Sequence, residues 1–409
     1  MQRIRTSLPY YNELGWETEI VVVADKYIDI VKDPLLLESV YPNITIHKVK
    51  ALPKRWTAKF GLGSLALRSL FYYRQKVNQI LTHEKFDMIY FSTTEFSLCI
   101  LGAYWKKKFK VPYVVDMQDP WHTDYYKNKP IKERPKKYWF SYRLNKYLEP
   151  KAMNEAAGLT SVSSSYIEVL HQRYPKLRLR PSATITFGAF ETDFQIVNKN
   201  TRKFKLPFTQ KTGYFNIVYI GRGGHDMKLA SEILFKAFKK GLEENNNLFS
   251  KFNLHFIGTS YAPAGKGTAT ISPIAKQFEL SSYVYEQTNR IGFYDSLNAL
   301  IQADGLFIMG SDQAAYSASK LYPYILAKKP LLAIFHQHSS VSSIIENCNS
   351  GQLINFSNTP EQAYITLTDY LLKVENKTIP LTNWKAFEPY TARFLTARLV
   401  DLFNKAIID

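Results

Sequence analysis

Three loops in the second half of the sequence follow short apolar runs and carry residue types that hold phosphate. FNIVYIG, residues 215–221, is followed by RGGHDMK. Its glycines, Gly221 first among them, let a backbone come close to a ligand, and Arg222 and Lys228 can neutralise an anion. NLHFIG at 253–258 is followed by TSYAPAGKG, and DGLFIMG at 304–310 by SDQAAYSASK. The last loop runs into a helical pattern. Ser319 is a capping type, Lys320 adds a full positive charge, and Pro323 suits a first turn whose amide hydrogens lack partners. Free amides and the positive dipole end of such a terminus form an anion site. The dipole itself contributes only about 0.3–1 kcal/mol, so specific hydrogen bonds must supply the rest. In the first half, PYVVDM at 112–117 is followed by QDPWH, which sets Asp119 and His122 just past a strand.

Other chemistries find less support. His336 and His338 lie one residue apart after a strand, with no carboxylate or cysteine nearby in sequence, so no metal site is expected. No Asp-x-Asp pair follows a strand, and neither Gly-x-Ser-x-Gly nor a P-loop pattern occurs. Cys99 and Cys348 are far apart and lack metal-ligand spacing, which reads as two buried, reduced thiols.

The elements that must position these residues alternate. EIVVVA (19–24), DMIYFS (87–92), PYVVDM and GLTSVS (158–163) read as buried strands, with helical stretches such as 65–81 between them. The second half repeats the logic, with helices at 231–244 and 294–303 and a strand at 330–335. Such alternation predicts parallel sheets with helices on both faces. At 409 residues the chain exceeds what one core usually serves, so two doubly wound α/β domains are expected. The seam is placed at about 191–213, polar and basic and without apolar period, and Glu191 and Asp193 within it are given a surface role. The tail, 384–407, is amphipathic: Phe394, Leu395, Leu399, Leu402 and Phe403 recur at helical spacing.

Net charge is +18, and it is unevenly spread. Between residues 51 and 150, Lys and Arg outnumber Asp and Glu by 19 to 8, chiefly through KKKFK (106–110) and KNKPIKERPKK (127–137). A basic face suits phosphates, whether of a nucleic acid, an anionic membrane surface or a lipid pyrophosphate. No nucleic-acid recognition motif accompanies the charge, so nucleic acid is not expected as a partner. No basic-then-apolar leader opens the sequence, and no run approaches the ~18 apolar residues of a membrane span. A soluble or peripheral protein is expected.

GRGG-x-D-M at the first loop of the second half, SLNALIQADGLFIMGSD, SASKLYPYILAKKPLLAI, and VVDMQDPW in the first half together resemble a family 4 retaining glycosyltransferase of the GT-B fold (a bacterial group 1 glycosyltransferase). The resemblance covers nearly the whole chain. It implies two facing Rossmann-like domains with an interdomain cleft: an acceptor-binding domain over 1–195, completed by a crossing helix at 384–409, and a donor-binding domain over 205–383. It implies a nucleotide-sugar co-substrate, UDP- or GDP-linked, and no cofactor or metal. It places Gly221, Arg222, Lys228, Tyr316, Ser317, Ser319 and Lys320 on the donor, Arg290 and Ile291 near its base, and Asp119 and His122 on the acceptor side. Similar enzymes mostly act on lipid-linked or polysaccharide acceptors at the inner membrane face. That would make this a cytoplasmic, peripheral protein whose residues 106–137 meet an anionic membrane surface.

The chain departs from the family pattern twice. Many relatives carry Glu-x7-Glu, whose second Glu commonly holds the donor ribose. Here Pro323 occupies that place, and Ala315 stands eight residues earlier. Relatives also begin with a strand and a glycine-rich loop before a helix carrying arginine. MQRIRTSLPYYNELGWE looks like that helix, with the first strand and loop lacking. Two other readings follow: a catalytically silent homologue that binds a glycan, lipid or partner protein, and a nucleotide-sugar epimerase on the same fold. The acidic and histidine cluster that an epimerase usually needs is not found in the sequence.

Overall fold

The computed structural model describes residues 2–28, 33–40, 42–127, 129–135, 137–312 and 320–408. The chain divides into two compact units. The first joins Met1–Gly188 to Ala392–Asp409, and the second is Ala189–Thr391.

Among the described residues the first unit has six strands: β1 (Glu19–Val23), β2 (Thr45–Val49), β3 (Ile89–Ser92), β4 (Tyr113–Met117), β5 (Gly158–Ser161) and β6 (Ser182–Thr184). β1 and β2 form a parallel pair, and β3-β4-β5-β6 form a second parallel sheet in that order. β4 is buried along its whole length, as expected of a central parallel strand covered on both faces. Tyr113, Val115 and Met117 face a core shared with the helices Ile100–Phe109, Tyr138–Met153 and Ser164–Arg173. Gly102 lets the first of these helices lie close on the sheet, since a Cβ there would come within 2.5 Å of the Tyr113 ring. Val114 faces the other way, toward Leu8 and Tyr11 of the helix Gln2–Tyr11 and Leu399 and Phe403 of the helix Ala392–Ile408.

β1 and β3 lie in one layer without pairing. Ile20 of β1 and Tyr90 of β3 pack on the cluster beneath the terminal helices. Val21, Ile89 and Phe91 pack on the opposite one, around Val77, Leu101 and Trp105. Among the described residues no ladder joins the two strands.

The second unit is a single parallel sheet of β7 (Phe215–Ile220), β8 (Phe252–Ile257), β9 (Val284–Gln287), β10 (Gly305–Met309), β11 (Leu331–Phe335) and β12 (Gln352–Asn355). Its order is β12-β11-β10-β7-β8-β9. The winding reverses between β7 and β10, and the crevice beyond the carboxyl ends of those strands is where open α/β sheets bind ligands.

Two expectations need correction. The seam begins with a helix, Glu191–Lys199, whose Asp193, Ile196 and Val197 are buried. Asp193 is not a surface residue: it accepts a hydrogen bond from the Tyr294 hydroxyl at 3.1 Å. The tail breaks at Thr391 into a short helix, Trp384–Phe387, and the long one beginning at Ala392. Phe394 faces water at 38% exposure, and Ala392, Thr396, Val400 and Ala406 fill the stripe with the expected leucines and Phe403. Both cysteines are free and buried. Among the described residues no helix is long and apolar enough to cross a membrane.

Candidate functional site

The site is assembled at the reversal between β7 and β10. β7 stops at Gly221, and the loop that follows turns on glycines. Gly223 donates its amide to Thr259 O at 2.8 Å, and a Cβ there would come within 2.3 Å of Thr270 Oγ1, so the loops after β7 and β8 touch only because Gly223 has no side chain. Gly224 sits at φ 131°, a conformation that L side chains rarely adopt. The Asp312 amide donates to Asp226 O at 3.0 Å, joining this loop to the end of β10.

Three cations meet here. Arg222 pairs with Asp226 one turn along. Arg290, after β9, lies over the Tyr261 ring with its guanidinium carbon 3.9 Å from the centroid. Lys320 keeps water contact, yet the protein packed around its ammonium, and then the charges of Arg290 and Arg222, lower its pKa to about 8. Like charges held close together are unfavourable until an anion joins them. Asp226 already offsets Arg222, so the charge left to meet an anion is chiefly that of Arg290 and Lys320.

The other donor-side candidates are placed differently. Lys228 is exposed at the start of the helix Lys228–Glu244, with Nζ 3.5 Å from Glu232, and is not among the charges acting on Lys320. Ile291 follows Arg290 in the chain and is half-buried. Tyr316, Ser317 and Ser319 lie outside the described residues, as does Ala315. The helix after β10 is a short one, Leu321–Leu326, with Lys320 rather than Ser319 at its N-cap position and no side-chain cap. Pro323 stands within it. His336 Nδ1 accepts from the His338 amide at 3.1 Å. Among the described residues no three His, Cys, Asp or Glu side chains gather as a metal site would require.

Two supports of this site are not evident in the sequence. The Tyr324 hydroxyl, on the short helix, accepts from the Ile220 amide at 2.7 Å and fixes the helix to the end of β7. Glu286, on β9, accepts from Thr259 Oγ1 at 2.6 Å and from the amides of Thr270, Ile271 and Ser272 at 3.0, 3.0 and 2.7 Å. Burial opposes its charge, but these hydrogen bonds outweigh burial and hold its pKa below the ordinary value. Both partnerships join residues distant in sequence, and only the fold reveals them.

In the first unit, Asp119 and His122 follow β4. Asp119 is exposed, and desolvation raises its carboxyl pKa. The His122 amide donates to Glu149 Oε2 at 2.9 Å, and its carbonyl accepts from Arg173 at 3.3 Å. Glu149 is itself buried, paired with Arg173 and bonded by the Tyr174 hydroxyl at 2.8 Å. The imidazole lies 4.8 Å from the Tyr142 ring, and its buried Nε2 has no hydrogen-bond partner. Burial lowers its pKa, so the ring is neutral at pH 7. A neutral, unpartnered imidazole nitrogen can accept a proton or a hydrogen bond. Below it, Asp116 at the end of β4 is buried against Arg3 Nε at 2.6 Å, with Thr160 Oγ1 at 3.0 Å and Gln118 Nε2 at 2.8 Å. Arg3 in turn donates to Ile185 O at 2.6 Å, so one buried charge pair joins the first helix to β4 and to the segment after β6.

No family model matches the chain, and no curated relative matches it. Solved structures do. The N-terminal domain of Candida albicans trehalose-6-phosphate phosphatase is similar at TM-score 0.56 and 13% identity, over 98% of this chain and 93% of the other. A glycosyltransferase from Rickettsia africae is similar at TM-score 0.55 and 11% identity, over 99% and 94%. Anabaena HepE in complex with UDP is similar at TM-score 0.54 and 13% identity, over 98% and 95%. At these identities the likeness concerns the fold alone, and with the two parallel-sheet units it establishes that this chain has the α/β architecture of the GT-B class, built from two Rossmann-like domains.

Proposed function

We propose that the protein is a glycosyltransferase that moves a sugar from a UDP- or GDP-linked donor to a lipid-linked or polysaccharide acceptor. Anomeric configuration is retained and no metal takes part. The observation that carries this reading is the meeting of Arg222, Arg290 and Lys320 beside the glycine loop at the sheet's reversal point. The donor diphosphate would lie on these cations, which stabilise the phosphate as the sugar–oxygen bond breaks. The acceptor hydroxyl would attack on the face the phosphate leaves. His122 and Asp119 of the first unit are assigned to the acceptor, for a hydrogen bond or proton transfer. Tyr316, Ser317 and Ser319 would add hydroxyls on the donor side, and Ile291 would border the base. Pro323, in place of the second Glu of the resembled motif, removes the usual contact to the ribose. The protein would work at the inner, cytoplasmic membrane face.

One observation favours a second reading, a silent homologue that binds but does not turn over. Pro323 stands in the short helix after β10 where the resembled motif has its second Glu, which leaves the donor ribose without that contact. Calorimetric titration with UDP, GDP and their sugars tests the donor site. Saturable binding of one nucleotide that Lys320→Ala weakens supports it, and no binding to any of them overturns it. Donor hydrolysis or transfer then separates the two readings.

A further inference from the structure

The first unit carries an exposed surface in which large apolar side chains alternate with cations. The helix Tyr138–Met153 contributes Trp139, Arg143, Tyr147 and Lys151, four residues apart and so on one stripe. Trp139 and Tyr147 are each 63% exposed. Arg143 stands 5.7 Å over the Trp139 ring and Lys151 3.8 Å over the Tyr147 ring. The only carboxylate of this helix, Glu149, is buried against Arg173 and does not reach the stripe. The segment 51–63 adds Trp56, 64% exposed, with Leu52, Leu62, Lys54, Arg55 and Lys59, and contains no acidic residue. The two pieces are continuous. Lys137 Nζ donates to Ala58 O at 2.9 Å, and Gly61 packs so closely on the Phe140 ring that a Cβ would come within 3.0 Å of it.

We propose that this surface docks on an anionic membrane. Tryptophan and tyrosine seat their rings at the headgroup level, the leucines reach just below it, and the flanking cations meet lipid phosphates. Single-stranded nucleic acid also takes aromatics and cations. It offers nothing to the exposed aliphatic side chains, however, and Leu52 and Leu62 are 45% and 42% exposed here. Of the basic run first suspected, Lys137 belongs to this surface, while Lys106 is engaged with Glu155. It also lies back to back with the His122 group: Tyr142 and Glu149 of the same helix turn inward to His122. The proposal gives the membrane placement of the proposed function its surface, but its test needs no transferase activity.

The test is cosedimentation of the full chain, without nucleotide, with phosphatidylcholine vesicles containing or lacking phosphatidylglycerol. Binding is expected only to the anionic vesicles, with a blue shift of tryptophan emission. Arg143→Glu with Lys151→Glu should weaken it roughly tenfold or more, and Trp56→Ala with Trp139→Ala should abolish the blue shift, both leaving melting and nucleotide binding unchanged. Raising the salt concentration should release the unaltered protein as well, which needs no variant to fold. Equal binding to neutral vesicles, binding indifferent to the variants and to salt, or capture of single-stranded RNA with no vesicle binding would each overturn the proposal.

Discussion

The hydroxyl of Tyr324 stands 2.7 Å from the backbone nitrogen of Ile220, a residue 104 positions earlier. This bond fixes the short helix after β10 to the last residue of β7, and so sets Lys320 relative to the glycine loop. Tyr324→Phe should remove it with little change of volume and leave the Ile220 amide unsatisfied. A loss of about 1–3 kcal/mol in urea unfolding is expected, together with weaker nucleotide binding. Unchanged stability would show that water replaces the hydroxyl.

Lys320 predicts a pH dependence. Its pKa of about 8 means that it is mostly charged at pH 7 and mostly neutral at pH 9. A bound diphosphate favours the charged form, so affinity for UDP or GDP should be highest below pH 8 and fall as pH rises through it. Near pH 8, binding should take up protons, seen as a dependence of the calorimetric heat on the buffer's ionisation enthalpy. Lys320→Ala should lower affinity roughly tenfold to a hundredfold and remove both effects.

Glu286 should matter to stability in acid. Its folded pKa lies below the unfolded value of 4.5, so its contribution is full above that value and is lost as pH falls through the folded pKa. Glu286→Gln keeps the shape but not the charge that three amides and a hydroxyl address. It should reduce stability by about 1.5–3 kcal/mol at pH 7 and flatten the acid limb of a melting-temperature profile.

Arg3→Ala should be the most destabilising of these changes, by about 3–5 kcal/mol, because it leaves the Asp116 carboxylate buried without its partner. Thermal denaturation would check it. Replacing both partners by apolar residues should recover part of the loss.

His122 should titrate below 6.5 by NMR and stay neutral at pH 7. If it serves the acceptor, His122→Ala should slow transfer by about 10²–10⁴-fold while leaving nucleotide affinity unchanged.

Much of this was legible in the residues. The inner strands, such as Tyr113–Met117 and Gly305–Met309, are mostly apolar runs because both faces are covered, and each was bracketed in the sequence within a residue or two. β2, β6, β9 and β12 passed unnoticed because they are short and partly exposed, with polar residues such as His47, Ser182, Glu286 and Gln352. The helix Glu191–Lys199 read as linker because one of its buried residues is Asp193, whose burial makes sense only with Tyr294 beside it. At the site, Arg222 and Lys320 followed from asking what comes after each strand, and Arg290 from the resemblance alone. Tyr324, Glu286 and Arg3 did not, since their partners are 14 to 113 residues away and no local pattern announces them.

The division of the chain has a consequence for its synthesis. The core of the first unit needs Leu395, Leu399, Leu402 and Phe403 against Val114, Leu8 and Tyr11. Those leucines belong to the last helix, made after the whole of the second unit. A nascent chain can therefore close the domain it makes second before the one it begins first. Until the helix Ala392–Ile408 leaves the ribosome, Val114 and its neighbours lack part of their cover, so the first unit is the one whose folding waits on residues made after the second, and the one most in need of a chaperone meanwhile.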